Sequence, residues 1–258
     1  MNASPSSRRV ERIRHDTRQR VLEVLRTERI SPGFLSVTLG GPDLQGFTSL
    51  SFDDHIKIFL EEEAPTGEDS PPEPGARRIM RDYTPRRFDA MRRELVVEFA
   101  LHGDGAATTW AAQASPGQRV RIGGPRGSFV VPNDYDFHLL IGDETALPAI
   151  SRRLEELPAR AKVLAFVQTA DPADQRDLSS RARVDVTWTG GDPDALIDAI
   201  GGLTLPDGEG FAWAAGEARV IAAIRVALVA THGLDKDHIR AAAYWKRGVC
   251  AHHETLSD

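Results

Sequence analysis

The hydrophobic rhythm of this chain changes once, at the turn Pro132-Asn133-Asp134, and that change limits the folds open to it. Before the turn, apolar residues recur at every second position. Ile56, Ile58 and Leu60 alternate with Lys57 and Phe59, the period of a half-buried strand. Stretches 34–39, 95–101 and 119–122 read the same way, with Gly, Pro or Asp around them. One helical stretch, 106–114, interrupts them. Short antiparallel strands with a single helix predict a small closed β-barrel. After the turn, apolar strands at 137–141, 163–168, 184–189, 211–214 and 239–244 alternate with helical patterns at 146–157, 195–200 and 218–234. That alternation predicts a parallel sheet with helices on its faces, the nucleotide-fold arrangement. The expected division is an arm at 1–19, a barrel domain at 20–132, and an α/β domain with a C-terminal tail at 133–258.

The arm, MNASPSSRRVERIRHDTRQ, carries charge but no apolar run or small-residue cleavage site. It reads as a frayed, solvated segment and not as a secretory signal. Acidic residues number 38 and basic ones 32, a net charge of −6, which excludes the basic surface of a general nucleic-acid or anionic-membrane binder. Only 4 of the basic residues are lysines, so each lysine departs from the local habit. The most apolar stretch, 220–234, is broken by Arg225 and His232, short of the ~18 apolar residues of a membrane span. A single cysteine, Cys250, forms no intramolecular disulfide, and the chain is expected to be a cytoplasmic monomer. The acidic stretch 61–74 reads as a solvated loop. Cys250, His252 and His253 sit too close together on a tail to converge on zinc, and no fourth ligand accompanies them, so no metal site is expected.

Parallel sheets bind ligands beyond the carboxyl ends of their strands. One such end runs Gly142-Asp143-Glu144-Thr145-Ala146 into a helix, where Thr145 and free helix N–H groups suit a pyrophosphate, although a plain capped helix reads equally well. Another runs through Gly216 and Glu217. Two such ends in one sheet favour a nucleotide site. In the barrel half, Arg81-Asp82-Tyr83-Thr84-Pro85-Arg86 as a strand places Arg81, Tyr83 and Pro85 on one face and Thr84 and Arg86 on the other. An aromatic ring between guanidinium groups suits a planar ring joined to a pyrophosphate; the alternative is a surface strand with solvated arginines. Downstream lie His102, Gly103, Gly105, Ala106, Thr108, Thr109 and Trp110, a strand end and a helix start small enough for close ligand approach.

Taken together, DDHIKIFL (53–60), RDYTPR (81–86), VEFALHGDGAATTWAAQASPG (97–117), GGPRGSF (123–129), IGDETALPAI (141–150), WAAGE (213–217) and YWKRG (244–248) run in one order along nearly the whole chain. This set resembles the siderophore-interacting protein family, flavin-dependent ferric-siderophore reductases among the ferredoxin-reductase-like flavoproteins. The resemblance implies an FAD-binding barrel in which Arg81, Tyr83 and Thr84 hold the flavin and pyrophosphate, with Arg86 nearby. His102, Gly103, Gly105, Ala106, Thr108, Thr109 and Trp110 would line the remainder. It implies further that Gly142, Asp143, Glu144, Thr145 and Ala146, with Gly216 and Glu217, receive NAD(P)H. The chain reads Gly105-Ala106-Ala107 where the family has Gly-Pro-Ala.

Lys57 points away from the core face of its strand, and Lys246 and Arg247 follow the aromatic pair Tyr244-Trp245. A net-acidic protein needs local cations to receive an anionic ferric siderophore, and the resemblance puts basic residues at these places. The expected activity moves electrons from NAD(P)H through FAD to chelated Fe(III), with no catalytic side chain of its own. A flavin reductase or diaphorase with another acceptor, and a non-catalytic binder of ferric chelates, remain open at this level, as does NADH against NADPH.

Overall fold

Strand periodicity organises the first half as expected. Ile56, Ile58 and Leu60 are buried, whereas Lys57 and Phe59 between them are only partly so. The computed structural model describes residues 8–60, 79–101, 105–249 and 254–256. His102 and Gly103, stretch 61–74, and the Cys250, His252 and His253 group lie outside the described residues.

The chain forms two compact units, one of Ile13–Ser128 and one of Phe129–Asp258 with Met1–Arg12. Strands β1 (Glu11–Arg14), β2 (Gln19–Ser31), β3 (Phe34–Gly40), β4 (Ile56–Leu60), β5 (Ile79–Tyr83), β6 (Arg87–Asp89) and β7 (Glu94–Ala100) come first. Helix α1 (Ala106–Gln113) and strands β8 (Arg119–Gly123) and β9 (Gly127–Val130) follow. The sheet of this half has seven strands in the order β5-β4-β8-β2-β3-β7-β6. Its neighbours pair antiparallel, around a core that includes Leu22, Val37, Ile58, Val97, Phe99 and Ile122. The expected closed barrel is a half-barrel, because β5 and β6 end the sheet without a ladder between them. Alternation in the sequence fixes which face is buried, and closure depends on edge pairing that the pattern does not encode.

The frayed arm expected through residue 19 also needs correction, since β1 pairs with β9. Arg8 bonds Asp136 at 3.1 Å and Glu209 at 3.0 Å. The stretch looks solvated because its side chains are charged, yet its order comes from the backbone ladder and these ion pairs.

The second unit holds β10 (Phe137–Gly142), α2 (Leu147–Glu156), β11 (Lys162–Gln168), β12 (Arg183–Thr189), α3 (Pro193–Gly201), β13 (Gly210–Glu217), α4 (Ala218–Ala230), β14 (Ile239–Trp245) and β15 (Glu254–Thr255). The sheet order is β12-β11-β10-β13-β14-β15, parallel except at β15. Its central strands, β10 and β13, are buried almost throughout, as helix-covered strands should be. Helix α4 stops at Ala230, four residues before the expected end at Leu234. Among the described residues, no helix is long and apolar enough to cross a membrane.

Candidate functional site

In the first unit, β5 is a sheet edge, paired among the described residues with β4 alone. Ile56 faces Tyr83, Lys57 faces Asp82, and Ile58 faces Arg81. Residues directly opposite each other share a face, so Arg81 and Tyr83 lie on the side of the buried isoleucines, while Lys57 and Asp82 lie on the other. The Tyr83 ring sits 4.3 Å from that of Phe99, which in turn lies 5.6 Å from Trp110. Burial pushes the Tyr83 hydroxyl well above its ordinary pKa, against the opposing pull of Arg81, so it stays neutral.

The strand ends at Tyr83, and the alternation expected to run through Arg86 ends with it. Thr84 and Pro85 are buried. Arg86 places its Nε 3.1 Å from Glu98 Oε1, and its backbone N–H donates to Val96 O at 2.9 Å. Arg86 is therefore held inside the half-barrel, because a nearly buried guanidinium requires a counter-charge. Arg81 differs. Its Nη1 donates to Met80 O at 2.9 Å, and no carboxylate pairs with it among the described residues.

Among the described residues, helix α1 has no side-chain cap at Gly105 and no acid in its first turn. Thr109 N donates to Gly105 O at 2.9 Å. Ala106 and Ala107 keep the start small, and Thr108, Thr109 and Trp110 follow within the same helix. Among the described residues, a guanidinium without a carboxylate and a helix start without a side-chain cap supply donors suited to a diphosphate, and the Tyr83 and Trp110 rings beside Phe99 supply a surface suited to a flavin.

In the second unit, a Cβ on Gly142 would stand 2.3 Å from Ala146 Cβ and 2.6 Å from Ala215 O, so only glycine lets β10 end here. Gly216 adopts φ +150°, and a Cβ there would meet Asp143 Oδ2 at 2.6 Å. Asp143 is buried and gathers four donors. Oδ1 accepts from Thr145 N at 2.9 Å and Thr145 Oγ1 at 2.5 Å; Oδ2 accepts from Glu217 N at 3.0 Å and Trp245 Nε1 at 2.8 Å.

This changes the expected phosphate cradle. Both Thr145 donors go to Asp143, Leu147 N goes to Glu144 O at 3.3 Å, and Pro148 has no N–H to give. The buried carboxylate takes these donors because an unpaired charge in that position is costly. Glu144 accepts from Ala170 N. Glu217 caps α4, accepting from Arg219 N at 2.7 Å and Val220 N at 3.1 Å, and thereby sets a negative charge where an anion was expected. Gly142, Ala146 and Gly216 at the strand ends are buried, and Ala146 N donates to Asp143 O at 3.0 Å, so the cradle's donors are largely used within the protein.

Lys57 is not the free cation expected of it, since its Nζ donates to Asp82 at 2.9 and 3.1 Å. Lys246 and Arg247 are exposed beyond β14 and form no ion pair among the described residues. Among those residues no group of His, Cys, Asp or Glu is placed to hold a metal ion. Asp82, Glu98 and Trp245, which set the charge and position of their partners, were not singled out from sequence. Only the Lys57–Asp82 spacing across a strand pair could have pointed to one of them.

Residues 23–129 match the family described as "Siderophore-interacting FAD-binding domain", and residues 135–248 match "Siderophore-interacting protein". The NADPH-dependent ferric-chelate reductase of Escherichia coli K12 is 39% identical over 95% of this chain and 99% of its own length. The ferric vibriobactin reductase ViuB of Vibrio cholerae is 34% identical over 91% of this chain and 93% of its own. The solved siderophore utilization protein from T. fusca superposes with a TM-score of 0.84 at 38% identity, covering 95% of this chain and 98% of that one. Flavohemoglobin from Malassezia yamatoensis, at 16% identity and a TM-score of 0.66 over 88% of this chain and 60% of that one, shares the fold. With both units matched in order, the chain belongs to the siderophore-interacting protein family.

Proposed function

We propose that this chain is an NADPH-dependent ferric-siderophore reductase that works as a cytoplasmic monomer, with FAD held on the half-barrel. The observation that carries this reading is the pairing of Arg81, which no described carboxylate neutralises, with the neutral Tyr83 ring on one face of an edge strand. Arg81 would hold the pyrophosphate and Tyr83 the flavin ring, with Thr84 assisting. The start of α1, from Gly105 through Trp110, takes the remaining phosphate and adenosine portion, and His102 and Gly103 belong to the same stretch. FAD supplies the chemistry that no side chain here can, accepting a hydride and releasing electrons singly.

The edge formed by Gly142–Ala146, with Gly216 and Glu217, orients NADPH, and Asp143 keeps that edge in shape. The cations offered to an anionic ferric chelate are Lys246 and Arg247, exposed in the second unit, and separately Lys57 in the first, whose charge Asp82 partly compensates. Reduction to Fe(II) weakens binding by hard oxygen ligands, so the iron leaves its chelator. The likeness to a relative named for NADPH-dependent ferric-chelate reduction supports this choice over another acceptor.

The test is the visible spectrum of purified protein before and after NADPH without oxygen, followed by a ferric siderophore and an Fe(II)-specific dye. A flavin spectrum bleached by NADPH and restored by the siderophore, with Fe(II) appearing, is expected. Absence of flavin after reconstitution, or a bleached protein indifferent to ferric chelates, overturns the reading.

A further inference from the structure

The first unit contains a second cationic site, made of residues given no part in holding the flavin, the nicotinamide or the chelate. A cleft of about 320 Å³ opens between the β1–β2 connection and the turn after β8, lined by Arg14, His15, Asp16, Arg18 and Arg20, with Gly46, Thr48, Gly124 and Pro125. Three guanidinium groups face one carboxylate there.

Arg20 forms the base and is only 5% exposed. Its Nη1 reaches just two carbonyls, Arg18 O and Gly124 O, both at 3.3 Å, and its buried Nε has no partner among the described residues. Its guanidinium lies 5.3 Å from the centre of the Phe47 ring. The nearby Asp43 accepts from Val21 N at 3.0 Å and acts on Arg20 only through its charge, with no hydrogen bond or ion pair between the two among the described residues. Burial and then the charge of Arg18 push the Arg20 pKa below its ordinary value, and the charge of Asp43 offsets them only in part.

Above this base, Arg14 and Arg18 are exposed, and neither has an ion-pair partner among the described residues. One wall is fixed. Ser128 Oγ donates to Asp54 Oδ2 at 2.7 Å, so its hydroxyl proton is used, and His15 Nε2 at 2.8 Å must be the donor to Ser128. The imidazole is thus held in one orientation at the cleft.

A buried guanidinium without a carboxylate is costly in the ligand-free protein, and an anion entering the cleft would relieve that cost. Arginine forks suit the flat or tetrahedral oxygens of carboxylate and phosphate. We propose that this cleft is an anion-binding site for a compact molecule bearing two or more carboxylate or phosphate groups. Its volume sits at the lower end of small-molecule pockets, which favours a compact ligand over a dinucleotide.

The flavin-loaded protein is used for the test, so that the cofactor's own diphosphate site is filled. Iron-free citrate and inorganic pyrophosphate are each titrated calorimetrically at low salt. Saturable one-to-one binding of either is expected; citrate alone identifies a carboxylate ligand, and pyrophosphate alone a phosphate ligand. Arg14→Gln with Arg18→Gln changes only exposed residues and should weaken binding at least ten-fold with the flavin spectrum unchanged. Arg160→Gln with Arg183→Gln, which removes the same charge from the other unit, should leave binding unchanged. The proposal fails if neither anion binds at millimolar concentration, or if the two double variants lose affinity equally.

Discussion

The indole N–H of Trp245 donates to Asp143 Oδ2 across 2.8 Å and ties together the ends of β14 and β10, strands separated in the sheet by β13. The same oxygen accepts from Glu217 N at the end of β13, so one carboxylate fastens three adjacent strand ends. Asp143→Ala would orphan the donors of Thr145, Glu217 and Trp245. With a cost of ~1–3 kcal/mol for each buried unsatisfied group and some relaxation, stability should fall by about 3 kcal/mol. Urea unfolding of the flavin-loaded protein measures this. An unchanged midpoint with flavin reduction by NADPH abolished would instead make Asp143 a direct cofactor ligand.

Arg81→Ala tests the half-barrel site. Loss of a charge-assisted bond to a phosphate should weaken flavin retention by roughly 1.5–3 kcal/mol, ten-fold or more. Arg86→Ala should act differently, because it removes the guanidinium beside the buried Glu98 and lowers stability before it affects the flavin. Flavin occupancy after dialysis, measured beside the melting temperature, separates the two. Full occupancy in the Arg81 variant would place that side chain on a solvated face.

These two arginines show how far the sequence can be read. The motif placed them in one stretch, and strand alternation correctly put Arg81 and Tyr83 on one face. Alternation could not tell that the strand stops at Tyr83 and that Arg86 turns toward Glu98, a residue twelve positions away on β7. In the second unit, the strand–glycine–helix pattern located the strand ends, because Gly142 and Gly216 are demanded by close backbone approach. The pattern did not show that Thr145 and Glu217 spend their polar groups within the protein. That depends on Trp245 arriving from a strand about a hundred residues later, and local spacing carries no record of it.

His138 gives a pH dependence. It is 1% exposed on β10, its Nε2 has no partner among the described residues, and its pKa is lowered from 6.5 to about 3, chiefly by burial and then by the charge of Arg153. The unfolded chain takes up a proton here below pH 6.5, and the folded chain does not until near pH 3. The unfolded state therefore binds more protons in that window, and stability must fall as pH falls through it. The full effect is on the order of 5 kcal/mol. His138→Leu should flatten the acid limb of a stability–pH curve by about one proton between pH 6 and 4. Parallel limbs for the two proteins would mean that the imidazole is protonated in the folded state.

The last prediction concerns the cations proposed to receive the chelate. Lys57 is held by Asp82 on the outer face of β4, so its charge is largely compensated, whereas Lys246 is exposed beyond β14. Exposed charge mainly speeds encounter with an oppositely charged partner and fades as salt rises. Lys246→Ala should therefore lower the second-order rate with an anionic ferric siderophore, most clearly at low ionic strength, and spare a neutral acceptor. Lys57→Ala alone leaves Asp82 as an uncompensated negative charge, so it should slow the anionic substrate as well, and Lys57→Ala with Asp82→Asn should recover part of that loss. Flavin content and flavin reduction by NADPH should stay near those of the parent in all three variants. Equal rates for parent and variants with the anionic substrate would remove these lysines from the chelate site, and a collapse of flavin reduction would move them to the cofactor sites. If the Lys57/Asp82 pair serves only to hold β4 against β5, its double variant will show a lower melting temperature and no dependence on the charge of the acceptor.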